Sequence, residues 1–343
     1  MPGRYKSGKA RLGRVQADGR VLGMSQSSVY RLRKEACTDR RFREVPKKAL
    51  PKWNLNQGRI RMGPKLIDHL LYEKEESGIL WIKFNRPESM NALYGVAEAL
   101  GTVAKVGEYM RAGDDDPDVR AIVLTGVGRG FCSGADLKRR PSPEELGPNV
   151  EGARESHPGP DSARQHFYHG FTRLHRDISL IRKPTVAMIN GAAVGSGMDM
   201  ALHCDIRLGC ENSRFIGYQQ AGQIMENGGC YYLPKMVGLG RALEFAYTGS
   251  LSADRAYEWG LLNYLVPSQE LERTTRDLCN RIIAQPPLVQ WISKRIMRAA
   301  LDSTLETTMV LTSNAGGILQ NSEDAKEARR AFIEKRKPRF RGV

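Results

Sequence analysis

Short apolar runs bounded by turn residues recur along the chain from His69 onwards. HLLYEK is followed by a tight Glu-Ser-Gly turn and by a second apolar run that ends at Asn85. AIVLT, RKPTVAMING and IRLGC repeat this pattern further along the sequence. Runs of this length between turn signals are typical of buried strands.

Segments with apolar residues at helical spacing separate these predicted strands. The first such segment keeps a helical period at six positions: Leu93, Val96, Leu100, Val103, Val106 and Met110. SGMDMALHCD predicts a further helix, and the chain from Arg241 onwards has a mainly helical pattern. Strands that alternate with helices predict an α/β fold.

The first 65 residues differ from the rest of the chain in charge. The formal net charge of the protein is +15, and this segment holds 18 of the 53 Lys and Arg residues but only four of the 38 Asp and Glu residues. The remainder, with 35 basic and 34 acidic residues, is almost neutral. We therefore predict a basic, partly disordered extension over residues 1–65.

Three interpretations of this extension stay open. RVLGMSQSSVYRLRKEA resembles the turn and recognition helix of a helix-turn-helix protein, which would bind nucleic acid. A solvated basic arm is favoured, because the first helix and core of such a unit are not evident. A transit peptide is the third interpretation, since the first 17 residues contain no acid, and it would direct the protein to an organelle matrix.

Composition argues against several other classes of protein. No stretch approaches the roughly 18 consecutive apolar residues of a membrane span. The six cysteines form no CxxC pair, which predicts reduced thiols and a cytoplasmic location. His203, Cys204 and Cys210 are interpreted as buried residues between a helix and a strand, so no metal site is predicted. Residues 139–161 are rich in Pro, Gly and charge and predict a loop.

Two segments place glycine between a predicted strand and the start of a helix. They are GRGFCSGADLK, with Gly134, and INGAAVGSGMD, with Gly191, Gly195 and Gly197. Helix starts offer free backbone N–H groups and a partial positive charge, which suit a developing oxyanion. Two facing junctions would bind one carbonyl oxygen from both sides. Taken singly, either set of glycines is also explained by tight turns alone.

Five segments in order resemble the crotonase family, also called the enoyl-CoA hydratase/isomerase superfamily. They are NRPESMNAL, DVRAIVLTGVGRGFCSGADLK, KPTVAMINGAAVGSGMDMALHCDIRL, GGCYYLPKMVG and SEDAKEARRAFIEKRKPRF. The resemblance runs from about His69 to Val343. It implies a spiral of repeated ββα units over residues 66–275 and a C-terminal helical trimerisation region over residues 276–343, in a homotrimer or hexamer.

The resemblance also implies where an acyl-CoA thioester binds. The N–H groups of Ala135 and Ser196 would form the oxyanion hole, although the family usually has glycine at position 196. Five residues would lie beside the coenzyme: Ala92, Asp136, Leu137, Lys138 and Lys335. The two lysines fit a solvated surface equally well.

The residues that move protons depart from the family pattern. Hydratases of the family hold a water between two glutamates, whose positions correspond here to Asp199 and Gln219. Glutamine cannot titrate, so ordinary hydration is in doubt. Glu226 lies where the naphthoate-synthase branch carries an aspartate, and it either replaces the missing base or faces solvent before a glycine turn. Asp199 is favoured as catalytic over a role at the helix dipole.

A second branch of the family gives a further comparison. The dienoyl-CoA isomerase branch also has aspartate at position 199, but its two further acids fall at Gln219 and Asn227. Three tyrosines lie near these positions and are candidate donors of a proton or hydrogen bond, although packing is the favoured role for at least two of them. They are Tyr218, Tyr231 and Tyr232.

The predicted function is that of an enoyl-CoA hydratase or isomerase acting through a thioester enolate. Coenzyme A would enter as part of the substrate, and no separate cofactor is predicted. A first alternative is an acyl-CoA hydrolase or a crotonase that forms or cleaves C–C bonds. A second alternative is an inactive scaffold whose basic arm binds nucleic acid.

Overall fold

The computed structural model describes residues 69–94, 101–136, 138 and 172–343, with the side chains of Arg173 and Leu174 excepted. The predicted extension over residues 1–65, the predicted loop over residues 139–161 and Leu137 lie outside the described residues.

Six strands form the larger of two sheets, in the order β1-β2-β3-β4-β6-β9. Their bounds are β1 Leu70–Lys74, β2 Ile79–Phe84, β3 Ala121–Gly126, β4 Thr185–Ile189, β6 Ile206–Gly209 and β9 Tyr264–Leu265. The β1–β2 hairpin is antiparallel, and all other neighbours in this sheet run parallel. The strands predicted from apolar runs are thereby confirmed.

Three short strands form a second, smaller sheet. It has the order β5-β7-β8, with bounds β5 Ala192–Val194, β7 Arg214–Ile216 and β8 Ser250–Ser252. The chain passes from β4 to β5 and from β6 to β7, and each passage leads from the larger sheet to the smaller one. The β4–β5 passage ends at a helix, α3, which spans Ser196–His203.

Both faces of the larger sheet are covered, which explains why its central strands are mainly apolar. Along β3, Ile122 and Leu124 belong to the main core, while Ala121 and Val123 face a second cluster. Leu271, Leu278 and Cys279 complete that second cluster and belong to the long helix α7, which spans Ser268–Ile283. Alternate residues of the central strands β2, β3 and β4 therefore belong to different core clusters.

The other helices have the following bounds: α1 Thr102–Asp115, α2 Arg173–Ser179, α4 Gly229–Val237, α5 Leu239–Thr248, α6 Ala253–Glu258, α7 Ser268–Ile283, α8 Pro287–Ala300, α9 Leu305–Gln320 and α10 Glu323–Ile333. The predicted boundary between residues 275 and 276 falls inside α7. No helix in the described part of the chain combines the length and apolar character needed to cross a membrane.

The first predicted helix differs from its prediction at one end. Leu93 was assigned to its apolar face, but Leu93 instead forms an isolated parallel bridge with Ala135. The Leu93 N–H donates to the Gly134 carbonyl at 2.7 Å, so it makes a bridge hydrogen bond in place of a helical one. The helix α1 begins at Thr102. The spacing of apolar residues alone could not show that Leu93 lies in a bridge and not in the helix.

Candidate active site

The NRPESMNA segment is a compact turn fastened by two side chains. Asn91 is buried, and its amide donates to the carbonyls of Val127 and Gly130 at 3.0 and 2.8 Å. Arg86 donates to the Ala92 carbonyl at 2.9 Å and pairs with Asp136 at 3.1 Å. These contacts fix the two chain segments that carry Leu93 and Ala135 against each other.

Ala135 presents its N–H away from Leu93. In their parallel bridge, Leu93 N–H donates to the Gly134 carbonyl and Asp136 N–H donates to the Leu93 carbonyl at 3.0 Å. The Ala135 N–H therefore points to the opposite side of its segment. Among the hydrogen bonds of the described residues, this N–H has no protein acceptor.

Ser196 supplies a second N–H on the neighbouring segment, and no acceptor for it is found among the described residues. It is the first residue of α3, so its N–H has no acceptor within the helix. The two segments touch closely, since a Cβ on Gly134 would lie 2.7 Å from the Val194 oxygen and 3.7 Å from the Ser196 nitrogen. Gly134 has φ of +78°, a conformation that glycine adopts without strain. The predicted pair of facing junctions is thus present in the fold.

Asp199 lies one turn into the same helix and is fully buried. Its Oδ2 accepts a hydrogen bond from the Tyr218 hydroxyl at 2.9 Å. The same hydroxyl lies 3.1 Å from Ser196 Oγ and accepts from the Asn227 amide at 2.9 Å. One tyrosine hydroxyl therefore connects the buried acid to the residue whose N–H was predicted for the oxyanion hole.

Burial gives this acid an unusual pKa. Removal from water, the largest cause, and the nearby Glu226 charge together raise the pKa of Asp199 to about 7, against the opposing effect of the Tyr218 hydroxyl and the polar groups of Asn227. Burial also raises the pKa of Glu226, and burial with the Asp199 charge raises the pKa of Tyr218. A carboxyl that titrates near neutral pH can both accept and return a proton.

Gln219 and Glu226 are placed differently with respect to Asp199. The Gln219 amide lies 3.4 Å from the Phe245 carbonyl, and its side chain folds over Gly217, so no described hydrogen bond joins it to Asp199. Glu226 is half-buried, and its charge lies close enough to Asp199 to raise the pKa of Asp199. One Glu226 oxygen, Oε2, is buried and has no hydrogen-bond partner among the described residues.

The residues predicted beside coenzyme A have mixed surroundings. Ala92 uses its N–H toward the Ser89 carbonyl, and Lys138 is exposed with its N–H bonded to Asp136 Oδ1 at 3.1 Å. Lys335 lies two residues beyond the end of α10, with φ of 54°. No described contact joins Lys335 to Asp199.

Two parts of the cluster were not assigned from sequence. Asn227 was considered only as the replacement of an acid, whereas its amide donates to Tyr218. His203 is buried, as predicted, and in addition its Nε2 lies 2.8 Å from the Asn227 carbonyl. No group of His, Cys, Asp and Glu residues in the described ranges is arranged to hold a metal ion. The i, i+4 spacing of Asp199 and His203 was the available signal that both face one side of α3.

Residues 74–343 match the family model described as enoyl-CoA hydratase/isomerase. The chain belongs to this family. A 1,2-epoxyphenylacetyl-CoA isomerase from Escherichia coli (strain K12) is 31% identical over 271 residues, covering 78% of this chain and 96% of the relative. A short-chain-enoyl-CoA hydratase from Clostridium acetobutylicum is 30% identical over 275 residues, covering 79% of this chain and 97% of the relative.

Solved structures of the family agree with the fold. An enoyl-CoA hydratase from Bacillus anthracis superposes with a TM-score of 0.68 at 27% identity, covering 80% of this chain and all of that chain. The predicted crotonase-type α/β fold is therefore confirmed. The family assignment predicted from the five sequence segments is confirmed as well.

Proposed function

We propose that this protein binds acyl-CoA thioesters and catalyses hydration or isomerisation of enoyl-CoA through an enolate. The N–H groups of Ala135 and Ser196 would hold the thioester oxygen, where negative charge develops. The observation that carries the proposal is the Tyr218 hydroxyl, which lies 2.9 Å from Asp199 and 3.1 Å from Ser196 Oγ. These contacts support the proposal because they connect the acid to the residue whose N–H would form part of the oxyanion hole.

Asp199 acts as the acid/base in either reaction. In hydration, a carboxylate takes a proton from water while the water oxygen bonds to Cβ, the C=C electrons shift to the thioester oxygen, and a carboxyl then returns a proton to Cα. In isomerisation, the carboxylate removes a Cγ proton and returns it to Cα as the double bond moves. Glu226 is the second carboxyl available to activate water, since the amide of Gln219 cannot titrate.

Binding of coenzyme A is proposed for the surface around Ala135. The backbone of Ala92, Asp136 and Leu137 and the ammonium groups of Lys138 and Lys335 remain the candidate contacts. Coenzyme A belongs to the substrate in this proposal, and the proton transfers use groups of the chain alone.

The proposal is tested by incubating the protein with enoyl-CoA esters of varied length, branching and ring content in ¹⁸O-enriched water. Mass spectrometry of the products separates the reactions. Heavy oxygen in an acyl group still joined to coenzyme A shows hydration, and a moved double bond without heavy oxygen shows isomerisation. Release of free coenzyme A would replace the proposal by hydrolysis, and a fragmented carbon skeleton would replace it by C–C cleavage.

A matched pair of variants assigns the activity to the site. Asp199→Asn is expected to remove it. Asp254→Asn makes the same change in the first turn of α6 at an exposed position and is expected to leave it intact. Absence of both turnover and acyl-CoA binding in the wild-type protein contradicts the proposal.

We further propose that the protein forms a homotrimer or a hexamer through its C-terminal helices. The helix α9 has no buried residue, and Leu305, Met309 and Ile318 are 77%, 60% and 67% exposed. Apolar exposure on this scale marks an interaction surface. Light scattering should give three or six times the 38.3 kDa chain mass, and a monomer contradicts this proposal.

A cytoplasmic location remains our proposal for the compartment. It is supported by five free thiols in the described part of the chain, at Cys132, Cys204, Cys210, Cys230 and Cys279. An organelle matrix is the alternative if residues 1–65 act as a transit peptide, and microscopy of the tagged protein with and without these residues distinguishes the two.

A further inference from the structure

The Tyr218 hydroxyl has three polar neighbours whose chemistry fixes the direction of its hydrogen bonds. Asn227 Nδ2, at 2.9 Å, can only donate, and ionised Asp199, also at 2.9 Å, can only accept. The Tyr218 proton must then point to Asp199 Oδ2, while the Tyr218 oxygen accepts from Asn227. Its remaining lone pair faces Ser196 Oγ at 3.1 Å, which can donate its own proton.

The two oxygens of Asp199 are consequently unequal. Oδ2 holds the Tyr218 proton. Oδ1 is buried and has no hydrogen-bond partner among the described residues. The helix start at Gly229 comes close to it, since a Cβ on Gly229 would lie 2.6 Å from Oδ1. Glycine at this position leaves room beside that oxygen.

We propose that Tyr218 is a positioning residue that makes Oδ1 the proton-accepting oxygen of Asp199 and links this carboxyl to Ser196 at the oxyanion hole. The inference rests on the proposed function, which assigns the proton transfer to Asp199. It adds a residue outside the two acid positions of the family pattern. A hydroxyl thus performs the orienting role that Gln219, turned toward Phe245, does not fill here.

The contact with Ser196 gives the Tyr218 hydroxyl a second hydrogen-bond acceptor for the stage at which negative charge moves from Asp199 to the thioester oxygen. When Oδ1 takes a proton from the acyl group, Asp199 becomes neutral and the thioester oxygen becomes an enolate. A neutral carboxyl accepts hydrogen bonds more weakly than a carboxylate. The Tyr218 proton is then free to turn to Ser196 Oγ, beside the N–H that holds the enolate oxygen.

The groups around Asp199 give this proposal a pH signature. Glu226, from the turn before α4, raises the pKa of Asp199, and Tyr218 and Asn227 lower it. His203, on the same helix, is neutral because burial lowers its pKa to about 3, and His175 of α2 packs 6.2 Å from that ring. Loss of the Tyr218 hydroxyl therefore raises the pKa of Asp199 above its value of about 7.

The test compares Tyr218→Phe with Tyr231→Phe. Both variants lose one phenolic hydroxyl, but that of Tyr231 binds Asp302 at an exposed site. The Asp199 carboxyl is titrated by ¹³C NMR in aspartate-labelled protein, with its signal identified by loss in Asp199→Asn. A hydrogen bond to a charged group corresponds to about one to two pH units. The midpoint should rise by that amount in Tyr218→Phe and stay at the wild-type value in Tyr231→Phe.

Kinetics with crotonyl-CoA supply a second readout. In Tyr218→Phe, kcat at pH 7 should fall about tenfold or more and recover as pH rises, with little change in KM. An unchanged NMR midpoint in a folded Tyr218→Phe variant overturns the inference. If that variant does not fold, Asn227→Leu removes the donor that holds Tyr218, and the same upward shift is required. Failure of the wild-type protein to bind or convert any enoyl-CoA ester instead sinks the proposed function, because the NMR titration needs no substrate.

Discussion

The Nε2 atom of His203 lies 2.8 Å from the carbonyl oxygen of Asn227, one helical turn beyond Asp199. A carbonyl oxygen only accepts, so Nε2 carries the proton and Nδ1 does not. The contact fastens the turn that carries Glu226 and Asn227 to the helix that carries the acid. Gly228 is required at this contact, since a Cβ there would lie 2.8 Å from Nε2.

His203→Phe should therefore destabilise the protein and slow the reaction. The buried Asn227 carbonyl loses its donor, which costs about 1–3 kcal/mol, and the larger phenyl ring must fit into a buried site. Urea denaturation measures the free energy of unfolding, and kcat with an enoyl-CoA ester measures the reaction. Wild-type values of both quantities in the variant would show that this contact does not hold the turn.

The low pKa of His203 predicts that the fold loses stability in acid. Burial holds the pKa of His203 at about 3, below the usual 6.5, so the fold favours the neutral ring. The stability this provides is complete above pH 6.5 and is lost as pH falls from 6.5 toward 3. The free energy of unfolding should fall less steeply over this range in His203→Phe than in the wild type, and parallel pH profiles would contradict the prediction.

Asp199→Asn is expected to abolish turnover while stabilising the fold. The folded pKa of Asp199 is about 7 against an ordinary 3.8, so burial of this group costs nothing below pH 3.8 and reduces stability progressively as pH rises from 3.8 to about 7. The neutral amide avoids this loss, which is at most on the order of 4 kcal/mol. The gain in Tm should be larger at pH 8 than at pH 5, and an equal or smaller gain at pH 8 speaks against a buried, raised-pKa carboxyl.

Sequence alone predicted five strands of the larger sheet, β1 to β4 and β6, together with the two glycine junctions, because each depends on local pattern or on a distinctive motif. The short strands β5, β7, β8 and β9 were not predicted, since two or three residues are too few to show a pattern. Direction of side chains in the turns was not predictable in this way. Tyr218 and Gln219 are adjacent in sequence, yet the first reaches Asp199 and the second turns to Phe245. The 3₁₀ turn at Gln219–Ala221 and its neighbours set the direction of these two side chains. The spacing of apolar residues in the sequence does not predict the geometry of such a turn.

Gln219→Glu tests this difference directly. Restoring the family's acid should not increase hydration, because the side chain is placed against the Phe245 carbonyl, at 3.4 Å, instead of Asp199. Two acceptors would then face each other, at a cost of about 1–3 kcal/mol in stability. Gln220→Glu at the exposed neighbouring position is the control for added charge. A rise in hydration specific to Gln219→Glu would show that the side chain swings toward Asp199.

Gly134→Ala should disrupt the paired junctions. Its Cβ would lie 2.7 Å from the Val194 oxygen at a φ of +78°, so both the contact and the backbone resist the change. We expect a loss of about 1–3 kcal/mol in stability and a large loss in kcat. Gly240→Ala, where a Cβ meets nothing within 4 Å, should be neutral or stabilising by up to about 1 kcal/mol. Equal effects of the two variants on stability and kcat would show that the close junction at Gly134 is not needed for either.

Formation of the thioester enolate is the central claim, and exchange of the α-hydrogens of butyryl-CoA in D₂O measures it without requiring the natural acyl group. Mass spectrometry should show deuterium entering butyryl-CoA with wild-type protein and with Asp254→Asn. Exchange should drop to the uncatalysed rate with Asp199→Asn. If the wild-type protein binds butyryl-CoA but exchanges its α-hydrogens no faster than buffer, Asp199 and the two backbone donors do not form an enolising site.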